Sequence, residues 1–334
     1  MMNKSGIEAW ITRHWYSPHK TWFAYGLMPV AAVFMQIAYL RRWLYKKGWL
    51  TSYRASCPVI VVGNISVGGV GKTPLVVALY FFLKERGWTP GIVTRGYRGR
   101  YKGVAWVAAD SDPNEVGDEA VLLAARTGAA VVVSRDRSSA VRVLTHETAC
   151  DIVLSDDGLQ HYGMGRDIEI AVIDAARKLG NRLCLPAGPL REPVSRLKKV
   201  DIVAVNGGDE SQCAFALSGM SLINVLNPTI TQGVQALFGK KIQALAGIGS
   251  PKRFFDYLRG LGAEVVEHAF PDHYAFQASD FACFSASDVL VMTEKDAVKC
   301  RVFAKENMWF FPVEAHLNAL FINKFNGCLK HLLP

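Results

Sequence analysis

An uncharged run, PVIVV at residues 58–62, opens onto GNISVGGVGKTP at 63–74, and PLVVALYFFLKER at 74–86 follows with helical spacing. A buried strand, a glycine-rich turn and an amphipathic helix in that order leave few folds open, because the turn points backbone N–H groups and a helix N-terminus into one space. The pattern G-x-x-x-x-G-K-[ST] is met at Gly71, Lys72 and Thr73, while Ser66 stands where the first glycine is usual. Gly68, Gly69 and Gly71 permit a backbone wrapped around phosphate oxygens. Together with Ser66, Val67 and Val70, they are the expected nucleotide-binding loop. Lys72 is expected to reach the β- and γ-phosphates and Thr73 to bind Mg²⁺. Pro74 is tolerated, since a first-turn N–H has no helical partner.

Past residue 50, short apolar runs at 58–62, 91–94, 103–108, 129–133, 151–155, 168–174 and 201–205 alternate with helix-period segments such as 117–127 and 137–148. Strands apolar on both faces, separated by helices, predict an α/β fold: a mostly parallel, P-loop NTPase-like sheet with helices on both faces. NGGDESQ at 206–212 breaks the pattern. Beyond it, strands at 242–246, 263–267 and 289–292 and a helix over PKRFFDYLRG predict a second, smaller αβ domain. The expected division is 1–50, 51–215 and 216–334.

Residues 21–40 carry no charge, and RRWLYKKGW follows. Twenty such residues are just long enough to span a bilayer. Gly26, Pro29 and Gln36 interrupt the stretch, basic residues lie on both sides, and Trp10, Trp15, Tyr16, Trp22, Trp43, Tyr45 and Trp49 cluster around it. A core helix and a true span compete with a helix lying in the interface. Rings at headgroup depth and flanking cations favour the last, against an anionic membrane surface. The net charge of +9 suits phosphorylated or membrane partners. Nucleic acid is the weaker choice, because much of the basic clustering sits beside the apolar segment, and no obligate protein partner is indicated. Seven scattered cysteines without a C-x-x-C pair argue against a disulfide framework or zinc site.

The strand at 151–155 ends in Asp156 and Asp157, the carboxylates expected beside a nucleotide-bound magnesium ion. TEKD at 293–296 has glutamate where guanine readers carry lysine, and NKFN at 323–326 lacks the terminal aspartate, so the nucleotide is expected to be ATP. Asp118, at the start of a helix, and His273, in FPDHYAF, are candidates for general-base work, although a helix cap and a structural histidine are the commoner uses of such residues. Arg191 and Glu192 lie in LPAGPLREP. Tyr97 lies in TRGYRGR, either a solvated basic loop or a dock for an anionic substrate.

GNISVGGVGKTP, TRGYRGR, VGDEA, LSDDGLQH, GPLREP, GIGSPKRFF, FPDHY and TEKDAVK occur here in one order from about residue 20 to 320. In this the chain resembles the tetraacyldisaccharide 4'-kinases, the lipid A kinases of Gram-negative bacteria, which also accept a hydroxyl residue at the place of Ser66. The resemblance implies transfer of the ATP γ-phosphate to the 4'-hydroxyl of a lipid A disaccharide precursor. It also implies a monotopic enzyme on the cytoplasmic face of the inner membrane, with two hinged αβ domains. Asp118 would be the base and His273 its partner. Asp156, Asp157, Gln160 and Glu192 would serve the magnesium or phosphate region. Arg137 and Arg191 would face phosphate, and Tyr97 would lie near substrate or nucleotide. Leu159 and Ala120 depart from the usual pattern at positions without chemistry. Because His273 and Asp118 fall in different domains, closure is expected to bring them together. A membrane-associated P-loop ATPase acting as a switch or chaperone on a protein partner is the alternative that the loop alone would permit.

Overall fold

Strands without polar alternation need helices over both faces of their sheet. In the computed structural model, which describes residues 4–17 and 19–332, the strands expected in the first block fall into one nine-stranded sheet. They are β1 (Val59–Gly63), β2 (Pro90–Thr94), β3 (Val104–Val107), β4 (Val131–Ser134), β5 (Ile152–Asp156), β6 (Ile168–Asp174) and β7 (Ile202–Asn206), joined by two unexpected strands, β8 (Ala214–Ser218) and β15 (Glu314–Leu317). Their order is β15-β8-β7-β6-β1-β5-β2-β4-β3, parallel throughout apart from the edge strands β15 and β3. Helices α3 (Lys72–Lys84), α5 (Asp118–Thr127) and α9 (Ala319–Lys330) cover one face through Leu75, Leu79, Leu123, Phe321 and Phe325. Helix α6 (Arg137–Glu147) covers the other through Val141 and Leu144. β1 lies at the centre, between β5 and β6. The loops leaving the carboxyl ends of such strands are where an open α/β sheet binds ligands.

A six-stranded second sheet contains β9 (Ser221–Asn224), β10 (Thr231–Gly233), β11 (Lys241–Ala246), β12 (Glu264–Ala269), β13 (Leu290–Thr293) and β14 (Met308–Phe311), in the order β10-β9-β14-β13-β11-β12. Helices α7 (Pro251–Gly260) and α8 (Glu294–Cys300) accompany it. The C-terminus departs from the expected division at 216–334. β15 pairs with β8 and α9 packs on the first sheet, so residues 314–330 belong with the first unit. The apolar Phe321 and Phe325 account for this, since the exposed flank of α3 offers them a core that the second sheet does not. The two crossing segments touch at Gly219, where a Cβ would lie 2.4 Å from both the Phe311 ring and the Pro312 carbonyl oxygen.

At the N-terminus α1 (Lys4–Trp15) and α2 (Trp22–Lys46) form a hairpin, closed by Trp10 against Phe23 with ring centroids 4.7 Å apart. Helix α2 is longer than the uncharged run, and is apolar and long enough to cross a membrane. Trp22, Tyr25, Val30, Val33, Ile37, Tyr39 and Leu40 are exposed along it, whereas Ala24 and Ala31 are buried and Phe34 packs near Ile65 and Leu190. The helix therefore lies along the first unit, beneath the glycine-rich loop. Residues 1–3, 18 and 333–334 of the expected terminal segments lie outside the described residues.

Candidate active site

The loop after β1 is pinned on one side and open on the other. Ser66 bridges to Leu190, the Val67 N–H donates to the Pro189 carbonyl at 2.8 Å, and the Arg191 N–H donates to the Ile65 carbonyl at 2.6 Å. Left-handed backbone occurs at Gly68 (φ 99°) and Gly71 (φ 90°), so the turn places no demand on Ser66 that only glycine could meet. Gly68 and Gly69 are exposed at the mouth, while Val70 is buried and its carbonyl accepts the Asn206 amide at 3.1 Å. The Val67 N–H is thus committed to the neighbouring segment rather than to the mouth. Lys72 begins α3, followed by Thr73, with Gly71 as the cap.

Three charged groups converge over this mouth. Lys72 Nζ lies 3.5 Å from Asp157 Oδ1 and 3.3 Å from the Asn64 amide oxygen, and Arg191 Nη1 lies 3.1 Å from both Asp157 oxygens. Burial alone would raise the Asp157 pKa, but the Lys72 and Arg191 charges outweigh it and hold the carboxyl down at about 2. Neighbouring Asp156 is fully buried and goes the other way: burial, reinforced by the Glu119 and Asp157 charges, pushes it up to about 7. One of its carboxylate oxygens, Oδ1, is buried without a hydrogen-bond partner. A bare buried oxygen invites a cation or a donor that arrives with the ligand.

Gln160 and Glu192 stand one layer back. Gln160 donates to Glu192 Oε1 and to the Asn64 carbonyl, each at 3.0 Å, while Glu192 Oε2 accepts the Tyr162 hydroxyl at 2.7 Å and lies 3.2 Å from Arg196 Nε. Arg137, expected to face phosphate, is only 2 % exposed. Its guanidinium donates to the Ser134 carbonyl at 2.7 Å and to the Asp156 carbonyl at 3.4 Å, which puts it beneath Asp156. Burial lowers its pKa to about 10.

Asp118 starts α5 because Gly117 (φ 93°) breaks the chain between it and α4 (Pro113–Val116). A Cβ at Gly117 would sit 2.9 Å from the Tyr97 carbonyl oxygen, so only glycine lets the TRGYRGR loop pack against the start of α5. The Asp118 carboxylate is buried, and His273 Nδ1 lies 2.8 Å from its Oδ2. His273 (φ 57°) comes from the loop after β12, in the second unit. The Tyr97 ring stands 5.1 Å from the imidazole. Burial would raise the Asp118 pKa, but the His273 hydrogen bond and the Lys295 charge bring it below the usual carboxylate value. The expected meeting of Asp118 and His273 is therefore present already, without further movement.

Sequence reasoning passed over three residues here. Asn64 sits under the loop and ties Lys72 to Gln160 through its two carbonyl oxygens. Glu119 bears on Asp156 from the next position of α5. Lys295, which lies in TEKDAVK without an expected role, places its ammonium 3.0 Å from Glu119 and 3.1 Å from His273 Nε2. Its neighbour Asp296 is structural, accepting the Gly247 N–H at 2.8 Å and the Thr293 hydroxyl at 2.6 Å. The signal available beforehand was that TEKD directly follows a buried strand, where the carboxyl end of a strand meets a helix start.

Comparison with known proteins assigns this arrangement to a family. The family model for Tetraacyldisaccharide-1-P 4'-kinase matches residues 23–330. The chain is 44% identical over 319 residues to the tetraacyldisaccharide 4'-kinase of Nitrosococcus oceani, covering 95% of this chain and 93% of that protein. It is 48% identical over 315 residues to that of Halorhodospira halophila, covering 92% and 94%. Among solved structures it is similar to LpxK from Aquifex aeolicus, determined in complex with ATP, with a TM-score of 0.78, 27% identity and coverage of 93% and 99%. The chain belongs to the tetraacyldisaccharide-1-phosphate 4'-kinase family.

Proposed function

We infer that this protein transfers the γ-phosphate of ATP to the 4'-hydroxyl of a tetraacylated glucosamine disaccharide 1-phosphate. The observation that carries the reading is the buried Asp118 carboxylate, held by His273 from the second unit and standing one residue from Glu119, whose charge reaches Asp156 below the phosphate loop. Asp118, kept ionised, accepts the proton of the sugar hydroxyl as its oxygen attacks the γ-phosphorus. The bond between that phosphorus and the β–γ bridging oxygen breaks, and ADP leaves. Lys72 and Arg191 stabilise charge on the transferring group, and the glycine-rich backbone aligns it. His273 orients the carboxylate, and Tyr97 stands at the acceptor side.

Mg²⁺ fits the residues present. Magnesium takes hard oxygen donors, with one or two carboxylates and the substrate phosphates completing its shell, and the buried, unpartnered Asp156 oxygen is such a donor. Asp156 and the Thr73 hydroxyl would hold the ion. Asp157, Gln160 and Glu192 would set the charge and shape around it: the Asp157 oxygens are engaged with Arg191, Glu192 with Tyr162 and Arg196, and the Gln160 amide donates to Glu192. Bound there, the ion would supply charge neutralisation on the nucleotide phosphates.

The exposed apolar length of α2, ending in Arg41 and Arg42, supports monotopic attachment to the cytoplasmic face of the inner membrane, where the acylated acceptor resides. The 214–221 and 311–314 crossings, touching at Gly219, support a hinge between the two units. Incubation with γ-labelled ATP and the acylated disaccharide tests the reading. Label in the lipid is expected, and label only in inorganic phosphate overturns it in favour of an ATPase switch.

A further inference from the structure

We propose that Lys295 is a positioning residue for phosphoryl transfer: its ammonium, set against His273 Nε2, fixes the imidazole in the tautomer that donates its Nδ1–H to Asp118. The inference rests on the reading of Asp118 as the base.

A lysine ammonium has three donors and no acceptor. At 3.1 Å from Lys295 Nζ, His273 Nε2 therefore accepts, and the single ring proton of a neutral imidazole must sit on Nδ1. That nitrogen lies 2.8 Å from Asp118 Oδ2, where its N–H donates. The opposite tautomer would set a ring lone pair against a carboxylate lone pair at that distance, and an N–H against an ammonium on the other side. Asp272 Oδ1 also faces Nε2, but at 3.8 Å it is beyond hydrogen-bond reach, so Lys295 is the group bonded there. His273 thereby donates through Nδ1, and Asp118 keeps an oxygen able to take the acceptor proton. The other Asp118 oxygen, Oδ1, is steadied by the Glu119 N–H at 2.9 Å.

Lys295 is itself held in place. It lies in the first turn of α8, whose cap Thr293 accepts the Asp296 N–H, and its ammonium is 3.0 Å from Glu119 Oε1 and 4.0 Å from carboxylate oxygens of Asp118 and Asp272. Burial opposes its charge, but Glu119, Asp118 and Asp272 together raise its pKa and keep the ammonium. The remaining charge that bears on Asp118 is Lys299, which is paired with Asp296 at 2.7 Å. A latch between the units would not need this geometry, because Arg126 and Glu294 already join α5 to α8 at 3.2 Å.

The test uses the full chain in detergent micelles with ¹⁵N-labelled histidine. Ring-nitrogen shifts of His273 are expected to report the neutral Nδ1–H form in the wild type, and an Nε2–H form there overturns the proposal by itself. In Lys295→Met that signature is expected to give way to mixed tautomers. kcat should fall tenfold to a hundredfold, as for other groups that orient a functional side chain, with KM for MgATP nearly unchanged and the acid limb of kcat/KM displaced to higher pH. Lys295→Arg should recover the tautomer and most of the rate, whereas Glu119→Gln should retain the tautomer. A Lys295→Met enzyme with the wild-type tautomer and pH profile overturns the proposal. Because the tautomer is read without substrate, it is independent of the assignment of Asp118 as base, which the kinetics of Asp118→Asn decide.

Discussion

His273 Nδ1 and Asp118 Oδ2 lie 2.8 Å apart although 155 positions separate the residues in the chain. One belongs to a loop of the second unit and the other to the first turn of a helix on the first, so this pair exists only while the two sheets are juxtaposed. On the proposed reading of Asp118 as the base, placing it and His273 on different units would couple base preparation to the closed arrangement, and a closed site would also keep water from the γ-phosphate.

Asp118→Asn removes the proton acceptor while preserving size; its single amide oxygen can accept from the Glu119 N–H or from His273 Nδ1–H, but not from both. Transfer of label to the lipid is expected to fall by about 10²–10⁴ in kcat, the usual range for a positioned general base, with MgATP affinity retained. Near-normal transfer by a folded Asp118→Asn enzyme would remove the assignment.

The pH dependence follows from the same carboxylate. Its pKa is lowered in the folded protein, the His273 hydrogen bond and the Lys295 charge prevailing over burial. The active form of a base is the ionised one, present above its pKa and lost as pH falls through it. Asp118 is therefore ionised across the neutral range, and kcat/KM should show no acid limb from this group above the ordinary aspartate range of about 4. A limb centred near pH 6 to 7, moved by substitution of Asp118, would contradict this.

Lys72→Ala removes the ammonium that lies beside Asp157 at the loop mouth. The expected loss is about 10²–10³ in kcat, the scale seen when one preorganised donor to transition-state charge is deleted. It should be accompanied by weaker binding of MgATP, measured by calorimetry. Unchanged turnover would show that the loop is not gripping the triphosphate.

The loop, its strand and its helix were legible because a buried run, closely spaced glycines and an amphipathic period each have a local cause. Asp156 and Asp157 were legible as a pair, but not their opposite fates. Asp157 meets Lys72 and Arg191, whereas Asp156 is enclosed, and both differences come from distant segments. Arg137 shows the same limit: spacing marks it as a helix start, yet only tertiary packing puts its guanidinium under Asp156. β15, and the sheet on which the C-terminal helix α9 packs, also escaped sequence reasoning. Nothing local in residues 314–330 says which of two apolar surfaces they will cover, and the answer lies with α3, more than two hundred residues earlier.

Arg126 and Glu294 join α5 and α8 with their side chains 19% and 11% exposed, and burial raises the Glu294 pKa despite the arginine. Removing one member of such a pair leaves the other charge buried, at a typical cost of about 3–5 kcal/mol, whereas replacing both with apolar groups is often neutral. Arg126→Met is expected to lower stability on that scale in thermal melts. Arg126→Met with Glu294→Leu should recover most of the loss. Equal destabilisation by the single and double changes would show that packing, not charge, holds the seam.

At the far end of α2, Arg41 joins Arg135, Arg142, Tyr45 and Tyr53 around a cavity of about 510 Å³. Arg142 stacks over the Tyr53 ring at 4.8 Å, while Arg41 and Arg135 are exposed. Asp136 also lines the space, but its carboxylate already accepts the Ser138 N–H and the Ser139 hydroxyl. The exposed apolar length of α2 ends at Leu40, so these cations stand where a membrane lying against the helix would present its phosphates. Each basic residue near an anionic leaflet contributes about 1 kcal/mol. Arg41→Gln with Arg135→Gln should therefore weaken partitioning onto phosphatidylglycerol-containing vesicles by roughly thirtyfold. Binding to neutral phosphatidylcholine vesicles, driven by the apolar face, should barely change. Raising salt should erase the difference between wild type and variant, because exposed charges are screened over about 10 Å at 0.1 M. An equal loss on neutral vesicles would instead assign these arginines to the packing of α2 against the first unit.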